Sequence, residues 1–361
     1  MNRTVGIVGL GIMGGAIARN LVERGWRVIG FDIDAATNAE LAQANISIAA
    51  DVGQLARDAP IIMTSLPSPT AVIEVAHAIA GAGQPPRIVV ELSTLTIADK
   101  RRFEAILTEA GHIALDCPLS GTGAQAKLRD LVVYASGDGD AIARCTDLFA
   151  DFAKQSADLG AFGNGSRMKF IANHLVAIHN VATAEAMVLA ERAGLDPRMV
   201  VDMIGPGAGT SRVFQLRAPM MVERLYEPAT MKVSIWKKDM AIIAAFAEEL
   251  GCATPMFTLT QPVYTQAMAM GLGDQDTAAV FEVLKKTLIT EPRLVRRNSR
   301  CSAPPGRSAP TAEHGRCRIA SKPGCASRTV VCAAADLPTA PPTPWLSLDH
   351  LELPSDKSLN Q

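Results

Sequence analysis

Val5-Gly6-Ile7-Val8-Gly9-Leu10-Gly11-Ile12-Met13-Gly14 is the stretch that decides the fold. Its opening residues are apolar or small and predict a buried strand over 4–8. Helical spacing follows over 15–24. The glycines between have a physical purpose. Gly9 permits a tight turn, Gly11 has no side chain to hold a phosphate away, and Gly14 lets helix and strand pack closely. The helix start offers free N–H groups and a partial positive charge. A strand, a glycine turn and a helix in this order form a cradle for a dinucleotide pyrophosphate. Gly9, Leu10, Gly11, Ile12, Met13 and Gly14 are the residues of that cradle.

The next strand, 27–31, ends at Asp32. A carboxylate there accepts hydrogen bonds from the adenosine ribose hydroxyls and repels a 2′-phosphate, which favours NAD over NADP. Asp32 is also readable as a turn or cap residue, with Asp34 the better cap.

Working outward, further short apolar runs lie at 60–65, 87–91, 113–116, 131–136 and 156–159, with helical patterns such as 95–110 between most of them. Such alternation predicts crossover units and a mainly parallel sheet. After residues 160–165, a candidate hinge, the spacing predicts helices only, at 167–193, 198–204, 211–224, 232–250, 255–270 and 276–287. From Glu291 onward, arginines give way to Pro, Ala, Ser and Cys without periodicity, a composition that cannot offset chain entropy by burial. Cys301, Cys317, Cys325 and Cys332 lie there at spacings that match no zinc pattern. A shift of reading frame near the natural terminus would also explain the abrupt change. The expected organisation is an α/β Rossmann-like domain over 1–163, an all-α domain over 164–290 and a disordered tail over 291–361.

The 361 residues carry a net charge of -1, so no global field attracts nucleic acid or an anionic membrane surface. Apolar runs stop well short of the roughly 20 residues that a spanning helix needs. Met1 to Thr4 lead straight into a strand pattern, not a signal peptide. Seven cysteines without paired spacing make no disulfide framework. These features predict a soluble, cytoplasmic protein.

Several later motifs fall in a telling order: Asn20-Leu21, Leu66-Pro67, Ser93-Thr94, Asp116-Cys117-Pro118-Leu119-Ser120-Gly121, Gly163-Asn164-Gly165-Ser166-Arg167-Met168-Lys169, then Asn173 and Lys238-Asp239. With the glycine turn, this set resembles the β-hydroxyacid dehydrogenases, the group that contains 3-hydroxyisobutyrate dehydrogenase and tartronate semialdehyde reductase. The resemblance runs from about Thr4 to Thr287. It implies hydride transfer between the dinucleotide and a small β-hydroxy acid. It further implies that Leu66, Pro67, Ala71, Thr94 and Lys238 line the dinucleotide, and that Ser120, Gly121 and Thr122 hold the substrate carboxylate. Lys169 becomes the general acid/base and Asn173 its orienting partner, both against substrate. A homodimer or homotetramer built on the long helix is also implied.

The residues themselves leave room for plainer roles. Backbone N–H groups of Gly121 and Thr122 with the Ser120 hydroxyl suit a carboxylate, yet the same stretch suits an ordinary turn. Lys169 and Asn173, four apart, share one helix face. A lysine near a helix start is otherwise a solvated charge. At a helix start inside a closed cleft, both the helix dipole and burial would lower its pKa.

Three features depart from the family's pattern. Thr122 stands where a second glycine is usual, and Lys127-Leu128-Arg129-Asp130-Leu131 replaces a glycine-containing approach. The tail has no counterpart. Gly205-Pro206-Gly207-Ala208-Gly209-Thr210-Ser211-Arg212 is a candidate pocket wall, with Arg212 offered to a second anionic group. His174 and His179 are off a common face and lack a third ligand, and Cys117 has no evident base, so metal and thiol chemistry are not expected. Two rival functions remain, an imine reductase of similar architecture, which typically lacks this lysine, and a dinucleotide-binding module without chemistry.

Overall fold

The computed structural model describes residues 3–286. Strands and helices alternate first: β1 (Thr4–Val8), α1 (Ile12–Glu23), β2 (Arg27–Phe31), α2 (Ala35–Ala42), β3 (Ser47–Ile48), α3 (Val52–Asp58), β4 (Ile61–Thr64), α4 (Pro69–Ala80), β5 (Ile88–Glu91), α5 (Ile97–Glu109) and β6 (Ile113–Asp116). The six strands form one parallel sheet in the order β3-β2-β1-β4-β5-β6. The order reverses between β1 and β4, which opens a crevice at the carboxyl ends of those two strands. Every residue of β1 is buried, as expected of a strand covered on both faces by helices. Ile7, Ile17, Leu21 and Val90 pack on one side, and Leu55, Ile62, Val72 and Val89 on the other.

A second sheet follows, built from β7 (Leu119–Ser120), β8 (Val132–Ala135) and β9 (Gln155–Asp158). The helices α6 (Gly123–Lys127), α7 (Gly139–Arg144) and α8 (Thr146–Phe152) connect its strands. β8 runs antiparallel to β7 and parallel to β9. The expected strands at 131–136 and 156–159 therefore exist but leave the main sheet. β3 and β7 were not expected, because a two-residue strand carries no alternation to detect.

The rest is helical: α9 (Asn164–Arg192), α10 (Pro197–Ile204), α11 (Arg212–Glu223), α12 (Val233–Glu249), α13 (Pro255–Ala269) and α14 (Val280–Lys286). α9 is the axis, packed against α10, α11, α12, α13 and α14. Phe170, Ala177, Trp236, Tyr264 and Phe281 fill the core around it. Polar caps mark the starts: Asp34, Ser68, Thr96, Asp196 and Ser211 each accept a backbone N–H from the first turn that follows.

Two expected helix bounds change. The helix after the glycine turn begins at Ile12, so Gly14 lies inside its first turn. The helix expected over 276–287 is split, with a 3₁₀ turn at Thr277–Ala279 before α14, where Asp276 caps the turn through Ala278 N–H. The expectation for 291–361 lies outside the described residues. Among the described residues no helix is long and apolar enough to cross a membrane.

Candidate active site

The glycine turn between β1 and α1 is built as its sequence requires. Gly9 has φ +89°, and a Cβ there would meet the Ser65 carbonyl oxygen. A Cβ at Gly14 would collide with the Gly9 carbonyl oxygen. A Cβ at Gly11 meets nothing within 4 Å, so open space lies over this turn at the N-terminus of α1. Open space above a positive helix end fits the pyrophosphate of a dinucleotide. Leu10 is buried and Met13 half-buried behind this turn, while Ile12 is exposed.

Asp32, just past β2, faces the same turn. Its Oδ2 accepts the Leu10 N–H at 2.7 Å and its Oδ1 accepts the Asp34 N–H at 2.9 Å. Asp34 is the cap, accepting from Ala36 and Thr37 N–H.

The ends of β4 and β5 supply the next wall. The Leu66 N–H donates to Ser93 Oγ at 2.8 Å, and Pro67 is exposed beside it. The Ala71 N–H donates to Ser68 Oγ at 3.2 Å in the first turn of α4. The Thr94 carbonyl accepts from Lys238 Nζ at 2.8 Å, so a side chain of α12 reaches the sheet edge.

Ser120 lies in β7, paired with Val132, and Gly121 follows at φ +134°. α9 packs against β6, β7 and β8, which brings this loop to the helix that carries Lys169. Thr122 caps α6, and its N–H donates to Gln125 Oε1 at 3.1 Å. That donor is thus engaged within its own turn, whereas Gly121 and the Ser120 hydroxyl lie beside it on the loop. Asn20 Nδ2 donates to the Ala126 carbonyl at 2.7 Å and ties α6 to α1.

The divergent loop 127–131 is fastened at Asp130. Its carboxylate accepts from Lys154 at 2.6 Å, Gln125 at 2.9 Å and Arg212 at 3.3 Å. Lys154, then Gln125, hold the carboxyl down at about 2. The anionic group that Arg212 meets is therefore the protein's own Asp130.

Lys169 and Asn173 are 7% and 4% exposed on one face of α9. Lys169 is in the second turn, because α9 begins at Asn164, so helix-end charge is the smaller influence. Burial lowers its pKa, Asp239 opposes that fall, and Lys238 adds to it. Asn173 Nδ2 donates to Asp239 Oδ2 at 3.2 Å, and Lys238 Nζ lies 3.5 Å from Asp239 Oδ1. Burial raises the Asp239 pKa. No role was assigned to Asp239 from sequence. The signal was its place on the apolar face of α12, beside Val233, Trp236, Met240 and Ile243.

Other candidates separate from this cleft. Of the segment 205–212, Gly207, Gly209, Thr210 and Ser211 line a cavity of about 620 Å³, together with His179, Thr183, Met203, Ile204 and Phe214, and Arg212 does not. His179 is more than two helical turns beyond Lys169, so this wall is not beside the lysine. His174 stacks on Phe257, with ring centroids 5.3 Å apart. Cys117 is buried, and burial pushes its thiol pKa well up, as suits a packing residue. Among the described residues no three metal-ligating side chains cluster.

The chain is similar to known proteins in sequence and in fold. Residues 4–161 match the NAD binding domain of 6-phosphogluconate dehydrogenase, and residues 163–284 match the NAD-binding of NADP-dependent 3-hydroxyisobutyrate dehydrogenase. The L-threonate dehydrogenase of Cupriavidus necator is 30% identical over 287 residues, covering 78% of this chain and 96% of that protein. The structure of 3-hydroxyisobutyrate dehydrogenase from Salmonella typhimurium is 30% identical with a TM-score of 0.70, covering 78% of this chain and 99% of the other. An imine reductase from a Pseudomonas species, 19% identical with a TM-score of 0.50 and covering 78% of this chain and 99% of its own, shares the fold alone. This chain belongs to the β-hydroxyacid dehydrogenases, NAD(P)-dependent oxidoreductases that act on CH–OH groups.

Proposed function

We propose that this enzyme interconverts a small β-hydroxy acid and its carbonyl form, with Lys169 as the proton carrier and NAD as the preferred dinucleotide. The observation that carries the proposal is Lys169 buried beside Asn173 and Asp239, on a helix packed against β6 and β7. Burial favours the neutral amine. Neutral Nζ takes the substrate hydroxyl proton, and the protonated form returns it to the alkoxide in the reverse direction. The bound nicotinamide supplies the hydride acceptor or donor. Asn173, oriented by Asp239, hydrogen-bonds the reacting oxygen. The Ser120 hydroxyl and Gly121 N–H hold the carboxylate, with Thr122 shaping the turn through its cap.

The preference for NAD rests on Asp32. A carboxylate has about four acceptor sites. Two neighbouring N–H groups leave lone pairs for ribose hydroxyls, and the negative charge repels a 2′-phosphate. Gly9, Leu10, Gly11, Ile12, Met13 and Gly14 hold the pyrophosphate, and Leu66, Pro67, Ala71, Thr94 and Lys238 line the remainder. On this reading the part over 1–163 supplies most of the dinucleotide wall and the carboxylate loop at Ser120 and Gly121, and the helical part over 164–290 supplies Lys169, Asn173 and Lys238.

Substrates of the L-threonate or 3-hydroxyisobutyrate type fit a site that needs one carboxylate and one secondary or primary alcohol. Buried free thiols at Cys117 and Cys145 suit the cytoplasm. Met168, Ile171, Leu175 and Leu189 are exposed along one stripe of α9, which supports a homodimer or homotetramer.

The deciding experiment follows NAD reduction against a panel of hydroxy acids that includes L-threonate and 3-hydroxyisobutyrate, for the wild type and Lys169→Met. Loss of about 10² to 10⁴-fold in kcat is expected. Unchanged turnover in the variant would remove Lys169 from the reaction. Reduction of a cyclic imine without any hydroxy-acid turnover would favour the imine reductase alternative.

A further inference from the structure

Beneath the cleft lies a buried ionic network that the reaction does not touch directly. The Lys100 ammonium, in α5, pairs with Glu91 at the end of β5 and, at 3.0 Å, with Asp116 at the end of β6. All three side chains are fully buried. Each carboxylate has a second task. Glu91 Oε1 accepts the Ser93 N–H at 2.9 Å, and Ser93 Oγ accepts the Leu66 N–H at 2.8 Å. Asp116 accepts both the N–H and the hydroxyl of Ser166, each at 2.8 Å. Ser136 Oγ donates to the Asp116 carbonyl at 3.0 Å and accepts the Gly165 N–H at 2.9 Å.

The two branches end at different parts of the site. One reaches Leu66, on the dinucleotide wall. The other holds the start of α9, where Ser166, Lys169 and Asn173 share a face. Stability alone is a weak reason for such a group. A buried ion pair is often matched or bettered by apolar residues of similar volume, whereas a charge network can enforce one arrangement. A first turn of α9 fastened through two bonds to one carboxylate cannot rotate or slide without breaking both.

We infer that Lys100 is a positioning residue: through Glu91 and Asp116 it fixes the Leu66 wall and the start of α9 relative to each other, so that Lys169 stays buried against the dinucleotide edge. Asp116 and Ser166 transmit this hold to Lys169, three residues along the helix from Ser166. The inference rests on Lys169 as proton carrier. The charged groups that face Lys169 are Asp239 and Lys238 of α12. Neither is hydrogen-bonded into the network, although the Lys238 charge also opposes that of Lys100, so Ser166→Ala, which alters no charge, is the variant that separates positioning from charge.

The test reads Lys169 itself. Cyanate carbamylates only neutral amines, so the pH dependence of Lys169 carbamylation, followed by peptide mass spectrometry on the full chain, reports its titration. Wild type, Lys100→Met, Ser166→Ala and Arg217→Met are compared. Arg217 forms another buried ion pair, with Asp276, in the helical part. Loosening the start of α9 admits water to Lys169, so Lys100→Met and Ser166→Ala should raise the midpoint by about one pH unit, a roughly tenfold drop in neutral amine below it. Arg217→Met should lower Tm and leave the midpoint in place. If both network variants lower Tm with the midpoint unmoved, as the control does, the network is structural only and the inference fails. Should Lys100→Met not fold, Ser166→Ala decides alone. Turnover by Lys169→Met would instead defeat the proposed chemistry, whatever the carbamylation profiles show.

Discussion

Lys238 Nζ, on α12, donates to the carbonyl oxygen of Thr94 at 2.8 Å, at the edge where β5 ends. A helix late in the chain thus reaches the wall on which the nicotinamide end of a dinucleotide would lie. The same ammonium sits 3.5 Å from Asp239. Lys238→Ala removes both contacts. We expect the KM for dinucleotide to rise about tenfold, the equivalent of one charged hydrogen bond of roughly 1.5 kcal/mol. Steady-state kinetics with varied dinucleotide checks this.

Gly11 and Gly14 separate binding from folding. At Gly11 a Cβ enters open space, so Gly11→Ala should keep the wild-type Tm but lose dinucleotide affinity. At Gly14 a Cβ meets the Gly9 carbonyl oxygen, so Gly14→Ala should lower Tm as well. Thermal unfolding and titration of NADH fluorescence together distinguish the two. Equal effects on Tm would show that the turn yields where the geometry says it cannot.

Asp32 should set dinucleotide choice. Asp32→Ser removes the charge that opposes a 2′-phosphate while keeping a short polar side chain. The ratio of kcat/KM for NAD to that for NADP should fall at least about tenfold, the equivalent of roughly 1.4 kcal/mol. A ratio unmoved by the substitution would assign the preference to other residues.

Asp239 should tune the pH profile. Its negative charge favours the protonated form of Lys169, against burial. Oxidation needs the neutral amine, so the rate rises as pH climbs through the Lys169 pKa. Asp239→Asn removes the opposing charge, and the rising limb should move to lower pH by about one unit. A kcat profile measured from pH 6 to 10 shows whether the limb moves down, as expected, or stays.

The stripe of Met168, Ile171, Leu175 and Leu189 should be covered in solution. Light scattering at micromolar concentration should return at least twice the 38.1 kDa chain mass. A monomer mass would leave that stripe to another explanation.

The sequence by itself determined the local frame. Glycines at 9, 11 and 14 have one job that needs all three, and β1 and α1 follow from them. Strand and helix periods are likewise local, so the order of alternating elements and the later run of helices were legible within a residue or two at most ends. Four-residue spacing alone put Lys169 and Asn173 on one face. Tertiary structure decided the environment of those residues. Whether Lys169 is buried depends on α12, about seventy residues away in sequence and adjacent only after folding. Asp239, in sequence only the second half of the Lys238-Asp239 motif, gains a partner because the fold sets Asn173 of α9 against it. The partners of two candidate anion contacts are likewise tertiary or loop-made: Gln125 meets the Thr122 N–H, and Asp130 meets Arg212. Lys100 had no motif at all, because its meaning lies in two carboxylates on neighbouring strands. Backbone periods are written in neighbouring residues, whereas burial and charge pairing arise between residues far apart in the chain, and only the folded molecule brings them together.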